Sequence, residues 1–106
     1  MGFLDFLKGP DIDQGVKEFR ETSGAVLLDV RTPQEYQEGH IPGSINVPLQ
    51  SLSTADQIPA GKNTPLFVYC RSGARSGQAV RLLAQMGYTG AKNIGGIAAY
   101  KGKVEC

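Results

Sequence analysis

The chain has 106 residues, a length that suits one domain rather than two. Hydrophobic residues make up 41%, which excludes a disordered chain, and a domain this size buries roughly 65% of its unfolded surface without needing staples. Eleven basic and ten acidic residues leave a formal net charge of +1, so there is no electrostatic case for nucleic acid as the main partner.

Met1 to Lys8 is apolar but too short for a secretory core, and Asp5 interrupts it. Position 6 is Phe6, where a myristoylation motif wants Ser or Thr. Residues 1–10 are read as an N-terminal extension, whose one-to-two-turn amphipathic helix packs on the domain or frays rather than meeting a membrane. No run approaches a transmembrane span. Gly9-Pro10 punctuates, and residues 11–106 form the domain.

Asp11 is placed to cap a helix, with Gln14 completing a capping box. Ile12, Gly15, Val16 and Phe19 share one face of a helix reaching about Thr22. Ala25 to Val30 is an apolar run broken only by Asp29, the pattern of a strand buried on both faces. Thr32, Pro33 and Glu35 have the spacing of a capped helix start, and Gly39 keeps that helix short. His40 to Gly43 is a loop, and Ser44 to Val47 alternates as a short strand ended by Pro48. Leu49 to Ile58 reads as a helical turn and then loop, and Pro59 to Pro65 as loop. Leu66 to Tyr69 is a central strand. Ser76 to Met86 is the clearest helix, with Val80, Leu83, Ala84 and Gly87 at helical spacing. Tyr88 to Ile94 holds a last strand, and Ile97 to Tyr100 a final helical turn. Strands alternating with helices predict an α/β domain, a parallel sheet with helices on both faces. Ligands in such sheets bind beyond the carboxyl ends of the strands.

Cys70 lies at one of those ends. Arg71, Ser72, Gly73, Ala74, Arg75 and Ser76 follow it and lead into a helix. Backbone amides, two arginines and a helix start therefore converge on one sulfur, which is the environment a reactive thiolate needs. A free cysteine has a pKa near 8.5, and lowering it by two units takes about 2.7 kcal/mol of preferential anion stabilisation. A helix N-terminus supplies about 0.3–1 kcal/mol, so loop amides and cationic charge must supply the rest. Gly73 lets successive N–H groups aim inward as an anion nest. Arg75 opposes the dipole at a helix start and so needs another reason to be there, either contact with substrate or bracing of the loop.

Asp29, Arg31 and His40 are read as structural support. Asp29 is a buried acid bonded to loop amides or an arginine, Arg31 its partner or that of Glu35, and His40 a loop histidine tied to backbone rather than a general base. Two cysteines and one histidine scattered over the chain show no metal-ligand spacing, so no metal or other cofactor is expected. Cys70 and Cys106 are read as reduced thiols of a cytoplasmic protein, with Cys106 an exposed tail residue rather than a second redox thiol.

Asp29-Val30-Arg31, Glu35-Tyr36, the run Gly39 to Pro48, the loop Cys70 to Ser76 and Gly95-Gly96-Ile97 together resemble a single-domain rhodanese, a thiosulfate sulfurtransferase. The likeness runs from about Asp11 to about Tyr100, with Tyr100 standing where the family often has tryptophan. It implies a sheet of about five parallel strands flanked by helices and a cysteine that carries sulfane sulfur as a persulfide. Thiosulfate and sulfite are then the small anionic partners, and cyanide, a small thiol or a protein thiol the acceptor. Two rivals follow from the same residues. A cysteine phosphatase or arsenate reductase places five residues between its cysteine and arginine, whereas Cys70 and Arg75 enclose four, and Tyr69 replaces the histidine common before such a cysteine. A non-catalytic or partner-fed sulfur-carrier module would keep the fold without thiosulfate turnover.

Overall fold

The computed structural model describes residues 9–54 and 58–106. The expected N-terminal helix over Met1 to Lys8 lies outside the described residues. The elements are helix α1 (Ile12–Glu21), strand β1 (Val26–Asp29), helix α2 (Pro33–Glu38), strand β2 (Ser44–Asn46), a 3-10 turn (Leu49–Thr54), strand β3 (Leu66–Cys70), helix α3 (Ala74–Gln85), strand β4 (Ala91–Gly96) and a closing 3-10 turn (Ile97–Ala99).

The strands form one sheet in the order β2-β1-β3-β4, every pair parallel. Four strands are found among the described residues where about five were expected. Past β4 the chain closes in a 3-10 turn, and the remaining β pairing is one antiparallel bridge between His40 and Glu105, too short to make a strand.

Side chains alternate across a strand, so each central strand feeds two cores. Leu28 and Val30 from the β1 run, with Leu66, Val68 and Cys70 of β3, pack with Ala79 and Leu83 of α3 and Leu52 of the 3-10 turn. Leu27, Phe67 and Tyr69 point the other way, against Ile12 and Val16 of α1 and Ile94 of β4. Leu27, Leu28, Leu66, Val68 and Tyr69 are fully buried, as expected of strands covered on both faces. Cys70 therefore belongs by parity to the α3 side, beneath the start of that helix.

Two helix starts differ from expectation. The Asp11 side chain accepts from the Asp13 and Gln14 amides, but the Gln14 side chain reaches forward to Glu18, so the reciprocal half of the box is not made. At α2 both halves form. Glu35 N–H donates to Thr32 Oγ1 at 3.2 Å, and Thr32 N–H donates to Glu35 Oε1 at 3.0 Å. Helix α3 begins two residues earlier than predicted and buries Ser76, Ala79 and Leu83; Ala84 and Gly87, expected on its inner face, are exposed. Gly87 lies past the helix end at Gln85 and Ala84 falls outside the buried stripe, while Leu83 and Val80 keep the expected face, which extends back through Ala79 to Ser76.

Candidate active site

The site is built at the carboxyl end of β3. Cys70 ends the strand and is 1% exposed. Gly73, at φ +102°, turns the chain back and serves as the N-cap of α3; a residue with a side chain would be strained there. The turn brings the Gly73 N–H to 3.0 Å from Cys70 Sγ, with the Ser76 hydroxyl at 3.4 Å. The loop thus curls around the sulfur rather than opening away from it. Burial pushes the Cys70 thiol up. The Ser76 side chain and the amides of Ser76, Gly73 and Ser72 act in the other direction and prevail, so the thiol sits below its ordinary value.

The two arginines part company. Arg75 lays its fork on Glu35, with Nη1 2.7 Å from Oε1 and Nη2 3.0 Å from Oε2. This bidentate pair ties α3 to α2. The Arg75 bond, with the Thr32 amide, holds Glu35 at about 2 against the opposing effect of burial. Glu35 in turn keeps Arg75 raised, with a smaller attraction from Cys70. Arg75 is thus a brace whose charge also favours the thiolate. Arg71 is exposed and makes no ion pair among the described residues. Its backbone is held instead, since its carbonyl accepts from the Ala98 N–H at 3.1 Å. An ideal Cβ on Gly96 would overlap that carbonyl, so glycine is what lets β4 lie against the loop. Arg71 lines two open clefts. One, of about 430 Å³, includes Pro10, Ser72 and Lys101; the other, of about 290 Å³, includes Glu35, Gly39 and Val104. Ser72 and Ala74 are exposed around the turn, and Ser76 is fully buried under it.

Asp29 and Arg31 form a separate buried unit at the end of β1. Asp29 Oδ1 accepts from the Arg31 amide at 2.9 Å, and Oδ2 from Arg31 Nη2 at 2.7 Å. The same Nη2 donates to the Gly39 carbonyl at 2.7 Å, closing the pair off. His40 Nδ1 lies 2.8 Å from the Tyr36 carbonyl, the ring stacks on Tyr36 at 3.7 Å, and Nε2 faces Glu105 at 3.6 Å. It is anchored away from the sulfur. Tyr69 points to the opposite face, where its hydroxyl accepts from the Ile41 N–H.

Sequence reasoning missed two residues of this site. Glu35 was assigned only as a cap and a candidate partner of Arg31; it is the partner of Arg75. Asn93 was not singled out at all. Its Oδ1 accepts from Ser76 Oγ at 2.7 Å and from the Gly95 N–H at 3.0 Å, and its Nδ2 donates to the Gly73 carbonyl at 3.1 Å. The available signal was an amide inside a short strand next to Gly95-Gly96. No group of three or more potential metal ligands occurs among the described residues, and Cys70 and Cys106 are both free thiols.

Comparison with known proteins converges on one family. The family described as Rhodanese-like domain matches residues 13–103. The thiosulfate sulfurtransferase PspE of Escherichia coli is 44% identical over 72 residues, covering 66% of this chain and 68% of that one. The human thiosulfate:glutathione sulfurtransferase is 35% identical over 85 residues, covering 68% of this chain and 74% of that one. A solved structure described as a rhodanese with anions from E. coli superposes with a TM-score of 0.68 at 38% identity, covering 76% of this chain and 96% of that one.

Proposed function

Because the chain belongs to the rhodanese-like domain family, we propose that it is a sulfurtransferase that carries sulfane sulfur on Cys70. The observation that supports this most directly is the Gly73 N–H at 3.0 Å from Sγ, in a turn whose Ser72 and Ser76 amides also favour the anion. In the first half-reaction the Cys70 thiolate attacks the outer sulfur of thiosulfate. The S–S bond of thiosulfate breaks, sulfite leaves with the bonding pair, and Cys70 keeps the sulfur as a persulfide anion. In the second, a nucleophile such as cyanide or a thiolate attacks the outer sulfur and Cys70 leaves as the thiolate. No net oxidation or reduction is required of the protein.

The turn's amides suit each anionic stage, because dipoles fixed before reaction need not reorganise during it. Arg71, Ser72 and Ala74 at the rim and Gly73, Arg75 and Ser76 behind it are the residues proposed to surround the donor, with Arg71 the cation free to meet its sulfonate end. No metal or cofactor enters either step. The acceptor class includes cyanide, small thiols and a protein thiol. Two free cysteines suit a reducing compartment such as the cytoplasm, and no helix among the described residues is long and apolar enough to cross a membrane.

The test is intact-mass analysis after exposure to thiosulfate, beside thiocyanate formation from cyanide. One added sulfur, discharged by cyanide and absent in Cys70→Ser, is the expected result. Loading of the Cys70→Ser variant to the parent's extent would refute it. Loading from a persulfide donor but not from thiosulfate would identify a partner-fed carrier.

A further inference from the structure

The orientation of the Asn93 amide follows from its neighbours. The Gly95 N–H can only donate, so the atom it meets at 3.0 Å is the carbonyl oxygen. The Gly73 carbonyl can only accept, so the atom 3.1 Å from it is the nitrogen. Ser76 Oγ lies 2.7 Å from that same Asn93 oxygen, which has no proton to give. Its single hydroxyl proton therefore goes to Asn93, the closer acceptor, and not to Cys70 Sγ at 3.4 Å.

From this geometry we infer that Asn93 is a positioning residue for Cys70: with the Gly77 N–H it grips Gly73 by the carbonyl, and so fixes the residue whose own N–H meets the sulfur, and it engages the Ser76 hydroxyl, leaving backbone amides as the main donors to the sulfur. The inference rests on the proposed role of Cys70 as the nucleophile. A strand irregularity serves it. Along the β3–β4 ladder Val68 faces Asn93 and Tyr69 faces Gly95, so Ile94 is an extra residue and the strand bulges where Asn93 meets the turn. The charged groups around the sulfur are Arg75 with its partner Glu35, Arg71 in the turn, and the closed Asp29–Arg31 pair beyond β1. On β4 the charge is Lys92, which is held by Glu18. Asn93 thus meets the turn through neutral hydrogen bonds alone.

The experiment is the rate of alkylation of Cys70 against pH in the full chain, carried on a Cys106→Ser background so that one thiol reports. Asn93→Ala in a Ser76→Ala background removes the donor to the Gly73 carbonyl without adding a charge and without freeing a hydroxyl toward the sulfur. Its midpoint is expected about one pH unit above that of Ser76→Ala alone. Ser76→Ala alone is expected to rise by about 0.5 unit or less, since the hydroxyl proton goes to Asn93 and the amides together are the main donors to the sulfur. No difference between the double and the single variant overturns the inference, and so does a rise of about one unit in Ser76→Ala alone, an arm that does not depend on the double variant folding. A parent midpoint at or above about 8.5 defeats the proposed function itself, a separate failure.

Discussion

Adjacent central strands end in two acidic side chains, and the chain treats them in opposite ways. Asp29 closes β1 and Cys70 closes β3, both essentially without exposure. Asp29 receives a full counter-charge, with the Arg31 guanidinium on both its oxygens and the Arg31 amide as well. Cys70 receives dipoles, from the turn and the first turn of α3, while the Arg75 guanidinium spends its fork on Glu35. A paired charge is neutralised and inert. An anion held by dipoles remains an anion, with its electron pair available for attack. The same carboxyl end of the sheet thus holds a structural acid beside the proposed nucleophile, and the difference lies in whether the hydrogen-bonding partner carries a net charge.

The sharpest way to break that comparison is to remove the counter-charge from the structural half. Arg31→Met leaves a buried carboxylate without its ion, and breaking such a pair costs about 3–5 kcal/mol. Urea unfolding is expected to show that loss. A change under about 0.5 kcal/mol would mean that the counter-charge is not what holds Asp29, and the contrast is false. On the reactive half, Gly96→Ala forces a methyl group into the Arg71 carbonyl. Overpacking of this kind costs about 1–3 kcal/mol. The turn is what must move, so sulfur transfer should fall by about tenfold or more, in line with the sensitivity of positioned reactants to small displacements. Parent-like transfer in a folded Gly96→Ala protein would show that the β4 contact does not position the turn.

What was readable in advance followed distance along the chain. The Thr32–Glu35 box spans three residues, and both halves of it are found. The Cys70 turn is equally local, which is why its amides could be foreseen. Arg75 and Glu35 lie 40 residues apart, and Ser76 and Asn93 lie 17 apart, so nothing short-range couples either pair. The burial of Ser76 has the same origin. Hydrophobic periodicity found Leu83 and Val80 on the inner face of α3 but did not place Ser76 there, where Asn93 from another strand holds its hydroxyl. Periodicity measures apolar burial and does not register a polar side chain held inside by a partner from another strand.

The smallest effect belongs to the pair that links the two halves. Glu35 is capped by Thr32 and bound by Arg75, both partly exposed pairings, and its folded pKa of about 2 lies below the ordinary 4.5. Ionised Glu35 is therefore favoured by folding. Its contribution is complete above about pH 4.5 and disappears as the pH falls through about 2. Exposure screens the pair, so the contribution is about 1 kcal/mol or less. Glu35→Gln should flatten the acid limb of the stability curve in that window while changing neutral-pH stability by no more than this. It should also release the Arg75 fork toward the sulfur. If the guanidinium's reach is what separates a brace from a counter-ion, the Cys70 alkylation midpoint in Glu35→Gln falls below the parent's, and sulfur transfer slows because the turn has lost its tie to α2. An unchanged midpoint with unchanged transfer would show that Arg75 already contributes its full charge to Cys70, and the contrast between dipole-held and ion-paired anions would have to be redrawn.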